Sequence, residues 1–185
     1  MPISTIRHKI RETLVFFVLV ALFTFAINLV VGAYRVQQTS MEATFEPNQV
    51  VLAEKIGPHF APDTLRGWVV TFQDDAIADV PHEVLIKRVI GVAGDTIAIH
   101  DGAVYRNGTA LAEPYVLSSN GTLPFDGEPN TWTIGPGQVF VLGDHRDSSV
   151  DSRKFGPIPT NTLLGRVFAR IWPLTSLSLF GSAGN

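Results

Sequence analysis

The pattern of apolar and polar positions divides the chain into one long apolar run and a series of short ones. Leu14 to Val31 carries no charged residue, and a helix formed by this run can continue to Tyr34. With a rise of about 1.5 Å per residue, such a helix crosses a hydrocarbon core of about 30 Å. The pattern therefore predicts a basic N-terminal segment (residues 1–13), a membrane span (residues 14–34) and a following domain (residues 35–185).

Charges at the two ends of this run predict its orientation. Arg7, Lys9 and Arg11 precede the span, whereas only Arg35 follows it closely. The positive-inside rule then places the N-terminus in the cytoplasm and the following domain outside, as in a single-pass protein of the cytoplasmic membrane. A cleaved secretory signal is the alternative, because Val31-Gly32-Ala33 has small residues at cleavage-site spacing. The apolar run is longer than the usual signal core of about 7–15 residues, which favours a retained anchor.

After Gln49 the apolar runs are short and are separated by turn residues, a pattern typical of β-strands. Asp101-Gly102 and Asn107-Gly108 are tight-turn signals, and residues 118–130 have the composition of a loop. We predict a mainly β fold, an antiparallel and partly closed sheet in one domain. The predicted strands are 50–52, 68–72, 84–92, 96–100, 103–106, 131–134, 138–142 and 163–172.

Net charge and residue composition exclude several kinds of partner and of active site. The net charge is −3 and no basic patch dominates, which argues against a nucleic-acid partner. The chain has no cysteine, so disulfides, thiolate metal sites and a cysteine nucleophile are excluded. No set of ligands recurs at metal-binding spacing, so we expect neither a metal site nor a cofactor.

A lysine lies within the most apolar predicted strand. Because side chains alternate in a strand, Lys87 and Arg88 project from opposite faces, and one of them must lie on whichever face is buried. Burial makes a lysine easier to deprotonate, so that it can act as a general base. The alternative is that both cations reach solvent or pair with carboxylates at an edge. This alternative is favoured at this point, because structural ion pairs are more common than catalytic lysines.

The other dense group of polar residues, 143–153, follows the predicted strand 138–142. Such a loop can deliver side chains to a site, or it can be an ordinary turn held by local hydrogen bonds. His145 raises the possibility of a Ser-His-Asp triad with Ser40, but the remaining histidines are scattered along the chain.

Taken together, these segments resemble the type I signal peptidases, membrane-bound serine proteases that remove signal peptides. The resemblance covers nearly the whole chain. The segment that contains Lys87 and the segment that begins at Gly143, found in this order, make it specific. The matching segments are Thr39-Ser40-Met41-x-x-Thr44-Phe45, Lys87-Arg88-Val89-Ile90-Gly91-x-x-Gly94-Asp95, Gly143-Asp144-x-Arg146-Asp147-Ser148-Ser149-x-Asp151-Ser152-Arg153, the apolar span, Arg66-Gly67-Trp68-Val69-Val70 and Ile171-Trp172-Pro173.

The resemblance implies a role for each matched residue. Ser40 is the expected nucleophile and Lys87 its general base, acting through an acyl-enzyme. Ser149 is expected to orient the lysine, and Met41 to lie beside the substrate pocket. The residues expected to brace the site by ion pairs and hydrogen bonds are Asp144, Arg146, Asp151 and Arg153. The implied fold is the family's mainly antiparallel β domain, in which any inserted second domain must be small or missing.

The chain also departs from the family pattern. Ala43 and Phe45 stand where proline and leucine are usual, Asn48-Gln49 replaces Gly-Asp, and His145 replaces asparagine. Gln38 occupies a position where a serine can contribute to the oxyanion hole. Our hypothesis is that the Ser40 N–H and the Gln38 amide supply the two donors.

The resemblance implies exported preproteins as substrates, the lipid bilayer as surroundings and no cofactor. Two alternatives remain: a related serine–lysine peptidase with one dedicated substrate, and an inactive membrane-tethered binding module. Retention of both Ser40 and Lys87 argues against the second. A self-cleaving repressor would need a DNA-binding helical domain in place of the span.

Overall fold

The computed structural model describes residues 3–77 and 82–182, beginning with a long helix, α1 (Ile3–Val30). Two polar side chains lie on the apolar part of α1. Thr24 Oγ1 donates to the Val20 carbonyl, and Asn28 Nδ2 donates to the Thr24 carbonyl. Each side chain thereby makes a hydrogen bond within the helix, which lowers the cost of placing it in an apolar environment. Within the described residues, one helix segment is long and apolar enough to cross a membrane, from His8 to Val30.

The helix ends at Val30, so the expected continuation of the helix to Tyr34 is wrong. Val31–Arg35 instead forms strand β1, which pairs with Val50–Glu54, strand β2. The Lys55 N–H donates to the Val30 carbonyl, and its ammonium donates to the Asn28 carbonyl at 2.8 Å. A cation at a helix C-terminus satisfies unpaired carbonyls and complements the helix dipole. The helix therefore passes directly into the sheet.

The fold is mainly antiparallel β, as expected. The remaining strands are β3 (Val69–Phe72), β4 (Leu85–Val92), β5 (Thr96–His100), β6 (Ala103–Arg106), β7 (Thr109–Ala110), β8 (Thr131–Thr133), β9 (Gln138–Leu142), β10 (Ile158–Pro159), β11 (Leu163–Trp172) and β12 (Ser178–Leu179). The short helices are α2 (Gly57–Phe60) and α3 (Ser152–Phe155), with 3-10 turns at Pro62–Leu65, Arg146–Ser148, Thr160–Thr162 and Leu174–Ser176.

The larger sheet has the order β1-β2-β11-β3-β4-β9-β10, and β12 pairs with β11. β4 lies between β3 and β9, and all eight of its residues are buried. Apolar side chains cover it on both sides. Leu85 and Val89 belong to one core cluster, while Ile86 and Ile90 belong to two others. This central, doubly covered strand carries Lys87.

A smaller sheet, with order β7-β6-β5-β8, occupies the chain between β4 and β9. The predicted turns at Asp101-Gly102 and Asn107-Gly108 join β5 to β6 and β6 to β7, and all four residues have positive φ. Ile97, Ile99 and Val104 of this sheet share a core cluster with Phe140 and Leu142 of β9. The insertion is thus a small sheet that packs on the main one.

Candidate active site

Lys87 and Arg88 are both buried, with exposed fractions of 1% and 3%. The expectation that both cations reach solvent or pair at an edge is therefore wrong. That expectation assumed that one face of the strand is exposed to solvent, whereas both faces of β4 are covered by apolar side chains. Each cation needs a specific partner, because an isolated buried charge is very costly.

The turn that carries Ser40 is fixed by its two buried apolar neighbours, Met41 and Phe45. Both pack in the cluster that contains Val36 and Ile86. The Phe45 N–H donates to the Met41 carbonyl at 2.7 Å and closes the turn. Met41, which the resemblance places beside the substrate pocket, lies under the turn and borders a small depression next to Ser40.

Ser40 and Lys87 meet across 47 residues of sequence. Lys87 Nζ and Ser40 Oγ are 2.6 Å apart and hydrogen-bonded, and Ser40 is 5% exposed. Burial lowers the pKa of Lys87 from 10.5 to about 8, against the opposing effect of the nearby Asp151 and Glu83 carboxylates. The low pKa arises because desolvation disfavours the ammonium form. A serine hydroxyl next to a lysine of lowered pKa has the geometry of a nucleophile and its base.

Asp144 neutralises the second cation of β4. Arg88 donates to both of its carboxylate oxygens, Nε at 2.8 Å and the terminal nitrogen at 2.5 Å. Thr44 Oγ1 donates to the same carboxylate. The bond from Thr44 ties the turn of Ser40 to the loop that begins at Gly143. A bidentate guanidinium–carboxylate pair is among the strongest polar contacts available to a protein.

Asp151 and Arg153 form a second buried pair, with Arg153 Nε 2.8 Å from Asp151 Oδ1. Asp151 also accepts from the Gly143 N–H at 3.0 Å. Arg153 donates to the Arg146 and Ser149 carbonyls at 2.8 and 3.0 Å. Between them the two side chains hold both ends of the 143–149 loop.

Arg146 lies outside this pair and anchors the loop to the segment that connects β7 to β8 in the smaller sheet. It donates to the Gly143 carbonyl, and to both carboxylate oxygens of Glu113 at 2.7 and 3.1 Å. It also donates to Thr122, a buried residue of the predicted loop 118–130. That segment contains neither strand nor helix, as expected, but it is tied to the site.

Ser149 is buried, and its hydroxyl has no hydrogen-bond partner among the described residues. Its expected role in orienting Lys87 therefore stays a prediction. Ser149 lies against Gly143, where an added Cβ would also come within 2.6 Å of the Ser40 carbonyl. Only glycine at position 143 leaves room for both the Ser149 side chain and the Ser40 carbonyl to lie so close to it.

Comparison with known proteins shows which family the chain belongs to. The model of the family described as "Signal peptidase, peptidase S26" matches residues 9–172 of this chain. A probable signal peptidase I-2 of Synechocystis is 36% identical over 159 residues, which cover 82% of this chain and 68% of that protein. Signal peptidase I V of Bacillus subtilis is 36% identical over 148 residues, covering 75% of this chain and 84% of that protein. The chain belongs to the type I signal peptidase family.

A crystal structure of a signal peptidase I from Enterococcus faecalis is also similar. It is 30% identical, with a TM-score of 0.46, over 55% of this chain and 93% of that one. The family assignment makes this chain a hydrolase of the signal peptidase type, and the apolar helix α1 fits a membrane-associated member of that family.

Two departures from the family pattern have a backbone basis in this signal peptidase. Ala43 has a φ of +79°, which proline, fixed near −65°, cannot adopt. The Ser40 turn therefore follows a path here that excludes the family's usual proline. Asn48 has a φ of +69°, a conformation that asparagine tolerates better than most residues and that glycine adopts freely.

His145 contacts the Ser40 turn, but its ring is not hydrogen-bonded to the Ser40 hydroxyl. Its backbone N–H donates to the Ser40 carbonyl at 3.1 Å, while its ring Nδ1 is 3.0 Å from Glu42 Oε2. The hydroxyl of Ser40 is bonded to Lys87 instead. This arrangement gives no support to a Ser-His-Asp triad in this signal peptidase.

Gln38 lies at the mouth of the site. Its amide nitrogen donates to Glu83 Oε1 at 2.6 Å, and this contact holds the amide against the segment that leads into β4. An amide nitrogen carries two hydrogens, so one remains available. The Ser40 N–H has no acceptor within the described part of the chain.

Several residues that complete the site could not be given a role from the sequence. Arg88 lies in the matching segment that contains Lys87, but its pairing with Asp144 is a tertiary contact. Glu113 and Thr122 lie in loops without a motif, so no sequence signal pointed to them. Gly143 was noted in the matching segment, but its need for close approach is visible only in three dimensions.

Proposed function

We propose that the chain is a membrane-anchored serine endopeptidase that removes signal peptides with Ser40 as nucleophile and Lys87 as general base. The observation that carries the proposal is the 2.6 Å bond between Lys87 Nζ and Ser40 Oγ, two buried groups. The buried ion pairs of Asp144 and Asp151 are proposed to hold Ser40 Oγ and Lys87 Nζ in their relative positions.

The proposed chemistry conserves every proton. Neutral Lys87 takes the Ser40 hydroxyl proton as Oγ attacks the scissile carbonyl carbon. The C–N bond then breaks, and the lysine gives that proton to the leaving amine. In the second half, Lys87 takes a proton from water, which attacks the acyl-enzyme ester, and returns the proton to Ser40. Ser149 is proposed to orient the ammonium form after a small rotation of its hydroxyl.

The substrate is proposed to be an exported preprotein with small residues one and three positions before the cut. The depression bordered by Met41, Val36 and Ile86 encloses only about 10 Å³, which suits small side chains. With α1 in the cytoplasmic membrane and its basic N-terminus in the cytoplasm, the domain from residue 35 onward lies outside. The site is then close to the lipid surface, where a preprotein's cleavage site emerges. Nucleic acid has no role in this scheme.

The direct test is cleavage of a preprotein with an Ala-x-Ala site by the detergent-solubilised full chain, with the cut located by mass spectrometry. We expect one cut after the second alanine by the wild type and none by Ser40→Ala. A wild type that cleaves none of several unrelated preproteins would favour a dedicated substrate or a binding role.

The activity of the wild type is expected to rise with pH. Lys87 must be neutral to accept the Ser40 proton, and its pKa is lowered to about 8. Below this pKa the lysine is protonated and kcat/KM falls about tenfold per pH unit; above it the rate reaches a plateau. Measuring kcat/KM from well below to well above this pKa tests the prediction. His145→Asn is the control and should leave the profile unchanged. A flat wild-type profile, or one that His145→Asn shifts, would refute the lysine as base.

Gln38→Ala is expected to lower kcat by about 10²- to 10³-fold, because it removes one of two proposed donors to the developing oxyanion. Gln37→Ala is a matched control, since Gln37 is an adjacent amide bordering the same depressions. KM should change little in either variant. Unchanged turnover in Gln38→Ala would show that the second donor lies elsewhere.

A further inference from the structure

Two depressions meet at Ser40. The proposed function assigns the smaller one to the small substrate residues before the cut and leaves the larger one without a role. The larger one encloses about 400 Å³ and is bordered by Thr39, Ile77, Leu85, Ser148, Val150 and Phe155. Gln37, Gln38 and Ser40 are common to both depressions. A peptide positioned for attack by Ser40 crosses this boundary, so each side of its scissile bond faces a different depression.

The alternation of side chains along β4 separates the two sides. Ile86 borders the smaller depression, and Leu85 borders the larger one. Leu85 and Lys87 are two residues apart on this strand, so they project from the same face. The larger depression is therefore on the face of β4 that carries the lysine.

The proton path then assigns the sides. In the proposed reaction Lys87 gives its proton to the leaving amine, so that amine must lie on the lysine's side of Ser40. The residues that follow the scissile bond extend from this amine. They consequently run into the larger depression, and the residues before the bond occupy the smaller one.

The lining indicates which side chains this depression accepts. Ile77, Leu85, Val150 and Phe155 provide an apolar surface, while the hydroxyls of Thr39 and Ser148 lie 3.1 Å apart at its edge. Val150 is 60% exposed although its neighbours Ser149 and Asp151 are buried. An exposed valine at this place leaves apolar area for a ligand to cover.

We infer that the larger depression is a binding site for the first residues of the mature protein, with a preference for an apolar side chain within the first three positions after the cut. The inference rests on the proposed function, because it assigns the leaving-group half of the same substrate. It adds a second determinant of cleavage-site choice to the small residues before the cut.

Val150→Asp tests the site without disturbing the dyad, because the Val150 side chain is largely exposed. Leu123→Asp is the matched control, since Leu123 is 51% exposed and does not border the depression. The substrates are peptides identical up to the cut that carry leucine, serine, aspartate or lysine at the second position after it.

With the wild type we expect kcat/KM for the leucine peptide to exceed that for the serine peptide about tenfold, as for a partly open apolar pocket. Val150→Asp should abolish this ratio and raise cleavage of the lysine peptide relative to the aspartate peptide. Leu123→Asp should behave as the wild type.

Other outcomes separate the inference from the function beneath it. Equal cleavage of all four peptides by the wild type, and of matched sets varied at the first and the third position after the cut, would overturn the inference while leaving the peptidase assignment intact. A Val150→Asp variant that keeps the leucine-to-serine ratio, and instead changes selectivity in a second peptide set varied one and three positions before the cut, would overturn the assignment of sides. If the wild type cleaves no peptide and no preprotein, the proposed function itself fails.

Discussion

Lys87→Met should lower kcat by about 10⁴- to 10⁶-fold, with little change in stability. Methionine has a similar length, fills the buried position and removes the only group that is hydrogen-bonded to Ser40 Oγ among the described residues. Without a base the hydroxyl stays protonated and is a poor nucleophile. Single-turnover cleavage of a preprotein by the detergent-solubilised enzyme measures the effect.

The dyad also predicts a pattern of non-additivity. Residues that act as a unit lose most of their contribution when any one is removed. Ser40→Ala, Lys87→Met and the double variant should therefore have similar residual rates. Lys154→Met, which replaces an exposed lysine, is the control and should be as active as the wild type. Activity within tenfold of wild type in Lys87→Met would exclude the lysine as base and return attention to His145.

Asp144→Leu is expected to destabilise the protein by about 3–5 kcal/mol, the largest stability effect we predict. The substitution leaves the Arg88 guanidinium buried without its bidentate partner, and the cost of an unpaired buried charge dominates. It also removes the acceptor of Thr44 Oγ1, which loosens the Ser40 turn. For a chain of this size, the midpoint of thermal unfolding should fall by roughly 10 °C.

Two comparisons isolate the buried charge as the cause. The double variant Arg88→Met with Asp144→Leu should be more stable than Asp144→Leu alone, since no charge is left unpaired. Glu128→Ala breaks the exposed Lys154–Glu128 pair and should cost less than about 1 kcal/mol. Equal destabilisation by Asp144→Leu and by the double variant would show that the pair contributes through packing alone.

Local signals in the sequence were sufficient for much of the fold. The hairpin of β5 and β6 was predicted because Asp101-Gly102 specifies a tight turn within the sequence itself. Strands β7, β10 and β12 have two residues each, too few for any periodicity to be visible. Their pairing depends on partners that are distant in sequence.

The end of the helix could not be located from hydropathy. Val31 and Ala33 are as apolar as the span, but they belong to a strand that pairs with β2. Lipid and a protein sheet both accept apolar residues, so composition does not distinguish them. The tie from Lys55 to the helix terminus, which fixes the boundary at Val30, is a tertiary contact.

The site was predictable only through resemblance. Alternation in β4 could separate Lys87 from Arg88 but could not tell which was buried, because the strand is covered on both faces. The contact of Lys87 with Ser40 joins residues 47 positions apart, beyond the reach of any local rule. The support from Glu113 and Thr122 left no sequence signal at all.

The direct passage from α1 into β1 limits how far Ser40 can lie from the end of the helix. Ser40 follows the last helical residue, Val30, by ten positions, so even a fully extended chain puts it no more than about 34 Å from the helix end. With α1 in the bilayer, as proposed, the junction of a substrate must come within about this distance of the lipid surface to reach Ser40. We therefore expect a preprotein whose junction is held farther out to escape cleavage.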